Sequence, residues 1–133
     1  MIKTISIQTH HQQLVEITQQ AQSILESSPQ DSGLLTLFIR HTSASLVLQE
    51  NADPSVQVDL LNWMNRLVPE NQSQFTHTSE GPDDMPAHIK CMLTQTSIGI
   101  PFEQRRLMLG TWQGVFLFEH RRGPHQREII AHC

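Results

Sequence analysis

Side chains that ligate metals or move protons crowd one short stretch of this sequence: His77, Glu80, Asp83, Asp84 and His88. A metal site needs several convergent donors, commonly imidazole nitrogens or carboxylates. His41 follows a dense apolar run, where a buried strand must end, so its ring can turn into a cleft. Three histidines with water in the fourth place would suit a zinc-like ion with one open position. Against this, nothing here has the fixed short spacing of a motif such as HExxH. On pattern alone, a loop His77 and an exposed helical His88 are the more economical reading. Lys90 can hold a phosphate as a point charge, although a solvated helical lysine is the default.

The other reactive residue types have bland readings. Cys91 reads as a small buried thiol. Asp53 reads as a helix cap, Trp63 and Met64 as core, and Trp112 as packed beside its glycines. Arg105, Arg106, Arg121 and Arg122 read as solvated turn charges. There is no GxSxG elbow and no phosphate-cradling glycine loop, which lowers serine-hydrolase and nucleotide-triphosphatase readings.

The elements that must position these residues follow from periodicity. Ile2, Ile5 and Ile7 predict a first strand. Leu14, Ile17, Ala21, Ile24 and Leu25 recur at helical spacing and predict a helix ending before Ser28-Pro29. Leu34–Ile39 predicts a buried strand and Leu46–Leu48 the next one. Asp53-Pro54 is a helix start, since Asp accepts from the first free amides and Pro tolerates the first helical position. That helix carries Val56, Leu60, Met64 and Leu67 to an end near Val68-Pro69. Glu70–Asp84 is polar and aperiodic, and long loops in compact domains are often functional. Met85-Pro86 opens a short helix to about Leu93. Ser97–Pro101, Leu107–Leu109, Trp112–Glu119 and Arg127–Ala131 are candidate strands. The irregular order of strands and helices predicts one α+β domain over residues 1–133, a folded-over sheet or sandwich.

With 133 residues and 38% hydrophobic content the chain is long enough for one core without disulfides. A net charge of −4 argues against nucleic-acid binding, which draws on Lys and Arg neutralising phosphates; a local basic patch still suits one small phosphorylated ligand. The two cysteines, Cys91 and Cys133, have no framework spacing and suggest reduced thiols. No signal-like or membrane-length apolar run is visible, so no membrane association and a cytoplasmic location are the expectation.

Four stretches in register carry a family resemblance. They are His41-Thr42-Ser43-Ala44-Ser45, Glu50-Asn51-Ala52-Asp53-Pro54, Glu80–Lys90 and Leu109-Gly110-Thr111-Trp112-Gln113-Gly114. Together they resemble the signature of the YjbQ-type family, from Leu34 to Ile130. The resemblance implies a homotrimer of α+β subunits, each a mixed β-sandwich with about three helices. It also implies weak thiamine-phosphate synthase activity, joining a hydroxymethylpyrimidine diphosphate to a thiazole phosphate with release of diphosphate. By position it implicates His41, His77 and His88 in holding a divalent metal ion, zinc or magnesium. Lys90 would then stabilise the leaving diphosphate, and Glu80 or Asp83 would orient the site. Many members carry Asn where this chain has Asp84. A metal-dependent hydrolase of a phosphorylated or amide substrate, and a non-catalytic ligand- or metal-binding protein, are the alternatives.

Overall fold

A computed structural model describes residues 1–133. The chain runs β1 (Ile2–Thr9), β2 (Gln13–Glu16), α1 (Thr18–Ile24), β3 (Gly33–Ile39), β4 (Ala44–Glu50), α2 (Pro54–Leu67), α3 (Asp84–Leu93), β5 (Ser97–Glu103), β6 (Arg106–Leu107), β7 (Gln113–Glu119) and β8 (His125–His132). A single 3₁₀ turn, Leu25–Ser27, continues α1. The strands form a five-stranded sheet, β1-β8-β3-β5-β6, and a three-stranded sheet, β2-β7-β4. Every pairing within them is antiparallel. The result is the expected single α+β domain with three helices.

Alternation explains how the two sheets meet. Ile5 and Ile7 of β1, Leu35, Leu37 and Ile39 of β3, and Ile98, Ile100 and Phe102 of β5 are buried on one face of the large sheet. They pack against Ala44, Leu46, Val115 and Leu117 of the small sheet, and Ile17, Ala21, Ile24 and Leu25 close the side of this core. Residues one register step away, Phe116 and Phe118, face the other side of the small sheet. There they join Leu14 and Met64 in a second cluster beneath α2.

The segment 14–25 departs from its helical spacing. Gln13–Glu16 is a strand paired with Phe116–Glu119 of β7, and the helix begins only at Thr18. Leu14 and Ile17 are both buried, but in different clusters on opposite faces of the small sheet. Edge pairing to β7 separates them, and tertiary context overrides the local pattern. The stripe on α2 is also shallower than its spacing predicts. Of its residues only Met64 is buried, while Trp63 and Leu67 are 53% and 51% exposed. Trp112, expected to be packed, is 63% exposed at the entry to β7. Asp53 caps α2 as expected, its Oδ1 accepting from the Ser55 amide at 2.9 Å.

Candidate metal centre

Asp84 and His88 lie one turn apart on α3, so their side chains share a face. The loop preceding α3 returns His77 to that face. His77 Nε2 is 2.7 Å and His88 Nε2 3.2 Å from the same carboxylate oxygen, Asp84 Oδ2. The ligand atoms of the three residues all lie within 4.8 Å of one another. Gly81 makes the return possible, since its φ of 101° is in the region that penalises a Cβ, which would also sit 3.2 Å from Asp83 Oδ1. The two imidazoles meet edge to face at 5.4 Å between centroids.

The polar partners decide what this trio can do. His88 Nδ1 lies 3.1 Å from the Thr42 carbonyl and donates its proton there. In a neutral ring the Nε2 lone pair then faces Asp84 Oδ2, two acceptors at 3.2 Å. A proton or a metal cation between them removes that repulsion, and an imidazole donating its other nitrogen to a carbonyl is the usual outer support of a metal-bound histidine. Asp84 is buried. Burial alone would raise its pKa, but the hydrogen bond from His77 and the charge of Arg121 outweigh it and hold the carboxyl below its ordinary value. The hydrogen bond to Asp84 raises the exposed His77 above the usual histidine value. Two imidazoles and one anionic carboxylate, open on one side, fit a borderline-soft divalent ion such as zinc better than magnesium, which prefers all-oxygen surroundings. A cavity of about 320 Å³ opens beside His77, walled by Asn71, Gln72, Phe75, Pro82 and Met85.

His77 and His88 are thus brought together, and Asp84 completes the group. His41 is not among them. Its Nε2 accepts the Glu128 amide at 2.8 Å, which commits that lone pair to the backbone of β8. Burial and the charge of Arg127 lower its pKa, so the ring is neutral with its proton on Nδ1. Its neighbour Thr42 supplies the link to the site, through a carbonyl. Glu80 Oε2 is 3.5 Å from His77 Nε2, at the exposed rim. Asp83 is buried and faces Arg121. Lys90 is almost fully buried, not solvated, and its Nζ donates to Asn65 Oδ1 of α2 at 2.5 Å. Two residues beyond His88, it lies on a different side of α3; burial lowers its pKa. Cys91 is buried with Sγ donating to the Ala44 carbonyl at 3.3 Å, and burial raises its pKa.

Sequence reasoning missed the polar residues at the end of β7, one of which backs this centre. Arg121, read as a turn charge, contacts both Asp83 and Asp84. Glu119 and Arg127 form a buried ion pair, and His120 is buried with Nε2 2.8 Å from Ser45 Oγ. A run of polar residues closing a buried strand, Glu119-His120-Arg121, was the available signal, but nothing local says which of them point inward.

A model of the family described as UPF0047 protein YjbQ-like matches residues 3–133. The chain is 49% identical over 142 residues to UPF0047 protein sll1880 of Synechocystis, covering 99% of this chain and 97% of that protein. It is 41% identical over 130 residues to UPF0047 protein YjbQ of Escherichia coli O157:H7, covering 97% and 94%. Among solved structures, it is similar to an uncharacterized conserved protein of the YjbQ/UPF0047 family from Clostridium acetobutylicum, with TM-score 0.89, 32% identity and 98% of each chain covered. A conserved hypothetical protein from Thermus thermophilus gives TM-score 0.86 at 36% identity, covering 96% and 97%.

Proposed function

The chain belongs to the UPF0047 YjbQ-like family, and from that premise we propose that His77, Asp84 and His88 hold a divalent metal ion, zinc in preference to magnesium, at which a small phosphorylated ligand is turned over. The observation that carries this reading is the approach of both imidazole Nε2 atoms to one anionic oxygen, Asp84 Oδ2, with His88 Nδ1 already committed to Thr42. When bound, the ion supplies electrostatic stabilisation of negative charge on an oxygen of the ligand. The reaction proposed is weak thiamine-phosphate synthesis, joining a hydroxymethylpyrimidine diphosphate to a thiazole phosphate as diphosphate leaves. His77, on the wall of the neighbouring cavity, faces the ligand, and Glu80 approaches the same Nε2 from the exposed rim. Lys90 acts at one remove, adding positive potential from behind α3 rather than touching the leaving group. The working unit is proposed to be a homotrimer; Leu34 and Phe38, exposed on β3, gain from burial against other copies.

Elemental analysis of protein purified without chelator or nickel resin tests the metal, and product chromatography with both precursors tests the reaction. One equivalent of metal, absent from the His77→Ala, His88→Ala double variant, is the expected result. Thiamine phosphate should form with the wild type and not with Asp84→Asn. Metal content equal in wild type and double variant would remove the site. No product from folded, metal-loaded wild type would reject the synthase reading. Hydrolysis of a small phosphorylated or amide substrate would then stand first, because three protein ligands and one open side are also the arrangement of hydrolytic zinc sites. Light scattering is expected to give three times the 15.2 kDa chain mass; the monomer mass would end the trimer proposal.

A further inference from the structure

Asp83 and Asp84 are adjacent, buried and chemically identical, yet the fold gives them different partners. Asp83 Oδ2 accepts from Arg121 Nε at 3.2 Å and from the Arg122 amide at 2.9 Å, and its Oδ1 accepts from Arg121 Nη2 at 3.4 Å. Both of its oxygens are spent. Asp84 Oδ1 lies 3.2 Å from Arg121 Nη1, while Oδ2 is left to face His77 and His88. The same guanidinium donates from Nη2 to the Glu80 carbonyl at 2.8 Å. One planar group thus reaches three acceptors, at positions 80, 83 and 84, across the turn that opens α3.

We propose that Arg121 is the positioning residue of this centre: it aims one oxygen of Asp84 at the two imidazoles and withholds Asp83 from ligation. The inference rests on the metal reading above for its consequence, but not for its geometry. A guanidinium suits the task because its donors diverge in one rigid plane, whereas an ammonium is a point charge that cannot span three fixed acceptors. Charge alone would work the other way, since a cation 3.2 Å from a metal-ligating carboxylate weakens its hold on a second cation. The arrangement therefore trades some attraction for a fixed ligand direction. It also sorts the acidic residues of this stretch: Asp84 ligates, Asp83 is a clamp, and Glu80 contributes its backbone carbonyl to the clamp while its carboxylate stays at the rim.

The test separates geometry from charge. Arg121→Lys keeps the charge and loses the fork; Arg106→Lys, on an exposed side chain, is the control. Cobalt(II), whose visible absorption reports ligand geometry, is titrated into each full-length protein. Affinity in Arg121→Lys is expected to fall about 10–100-fold, the usual loss when an outer partner of a ligand is removed, with a changed visible spectrum, and the control is expected to match wild type. A crystal structure of metal-free Arg121→Lys is expected to show Asp84 Oδ2 withdrawn from His77 and His88. Wild-type affinity and spectrum in Arg121→Lys, or an Asp84 carboxylate unmoved in that crystal, would overturn the proposal. If wild type takes up no cobalt, the metal reading falls, and the Asp84 position in the metal-free crystal alone decides the positioning role.

Discussion

Two clusters in this molecule are each built around an arginine and a buried carboxylate, and they do opposite things with them. At the end of β7, Glu119 is fully buried. Its Oε1 accepts from Thr9 Oγ1 at 2.6 Å and Arg127 Nε at 2.7 Å, and its Oε2 from Arg127 Nη2 at 2.5 Å and the Arg121 amide at 3.2 Å. Arg127 goes on to donate to Ser43 Oγ at 3.0 Å. Every lone pair of that carboxylate is used within the chain. At the start of α3, Asp84 is nearly as buried, but its histidine partners are 43% and 33% exposed at the side chain. A carboxylate whose valences are closed internally holds the fold, whereas one sealed behind and open in front is free for a ligand. Burial of a charged group does not separate the two cases; the exposure of its partners does.

The comparison breaks most visibly if one member of the closed pair is removed. Arg127→Met leaves Glu119 buried without its partner and should cost about 3–5 kcal/mol in urea denaturation. A loss under about 1 kcal/mol, the size of an exposed pair, would mean the closed cluster is not what holds that corner. The next effect is in pH. Burial, then the charge of Lys90, pushes His120 down to about 3 from an ordinary 6.5. The unfolded chain therefore binds the extra proton between those values, so the contribution of His120 is fully present above about 6.5 and is lost as pH falls toward 3. One proton of difference is worth about 1.4 kcal/mol per pH unit. Glu119, Asp83 and Asp84 have lowered pKa values and give up their stabilisation only at more acid pH. His41, also lowered, adds in the same direction as His120. Between about pH 6.5 and 5 the wild type should lose stability faster than His120→Gln; parallel curves would refute it.

The open cluster should answer the same perturbations weakly in stability and strongly in binding. Asp84→Asn is expected to move the unfolding free energy by no more than about 1 kcal/mol, as for a polar site whose partners reach water, while abolishing metal uptake. A loss as large as that of Arg127→Met would make it a structural cluster instead. The smallest effect belongs to the rim: Glu80→Gln should change stability by less than about 0.5 kcal/mol, measured by thermal melts at neutral pH.

Much of the fold was legible because its signals are local. The apolar run of β3 and the Asp53-Pro54 start of α2 reappear where spacing placed them, and so does the aperiodic Glu70–Asp84 loop except for Asp84, which opens α3. The failures have a common cause. Leu14 and Ile17 fit one helical face but serve two clusters, and Trp63 and Trp112 carry hydrophobic surface that this chain does not cover. For Leu14 and Ile17 the deciding neighbour, β7, is distant in sequence, and the exposure of the two tryptophans likewise depends on how remote elements pack.

For the site, the residue types alone marked the stretch from His77 to His88 as polar and rich in possible metal ligands, while pattern alone favoured a loop His77 and an exposed helical His88. Periodicity expected the short helix to open at Met85; it opens one residue earlier, and that single step puts Asp84 on the same helical face as His88. Only tertiary structure decided that His41 turns its Nε2 to Glu128 while Thr42 reaches His88 with its carbonyl. Likewise, only the meeting of the β7 end with the start of α3 brought Arg121 to Asp83, 38 positions away in sequence, and to its neighbour Asp84. The physical reason is that periodicity reports which face a side chain takes, but hydrogen-bond partnership depends on where two remote backbones meet.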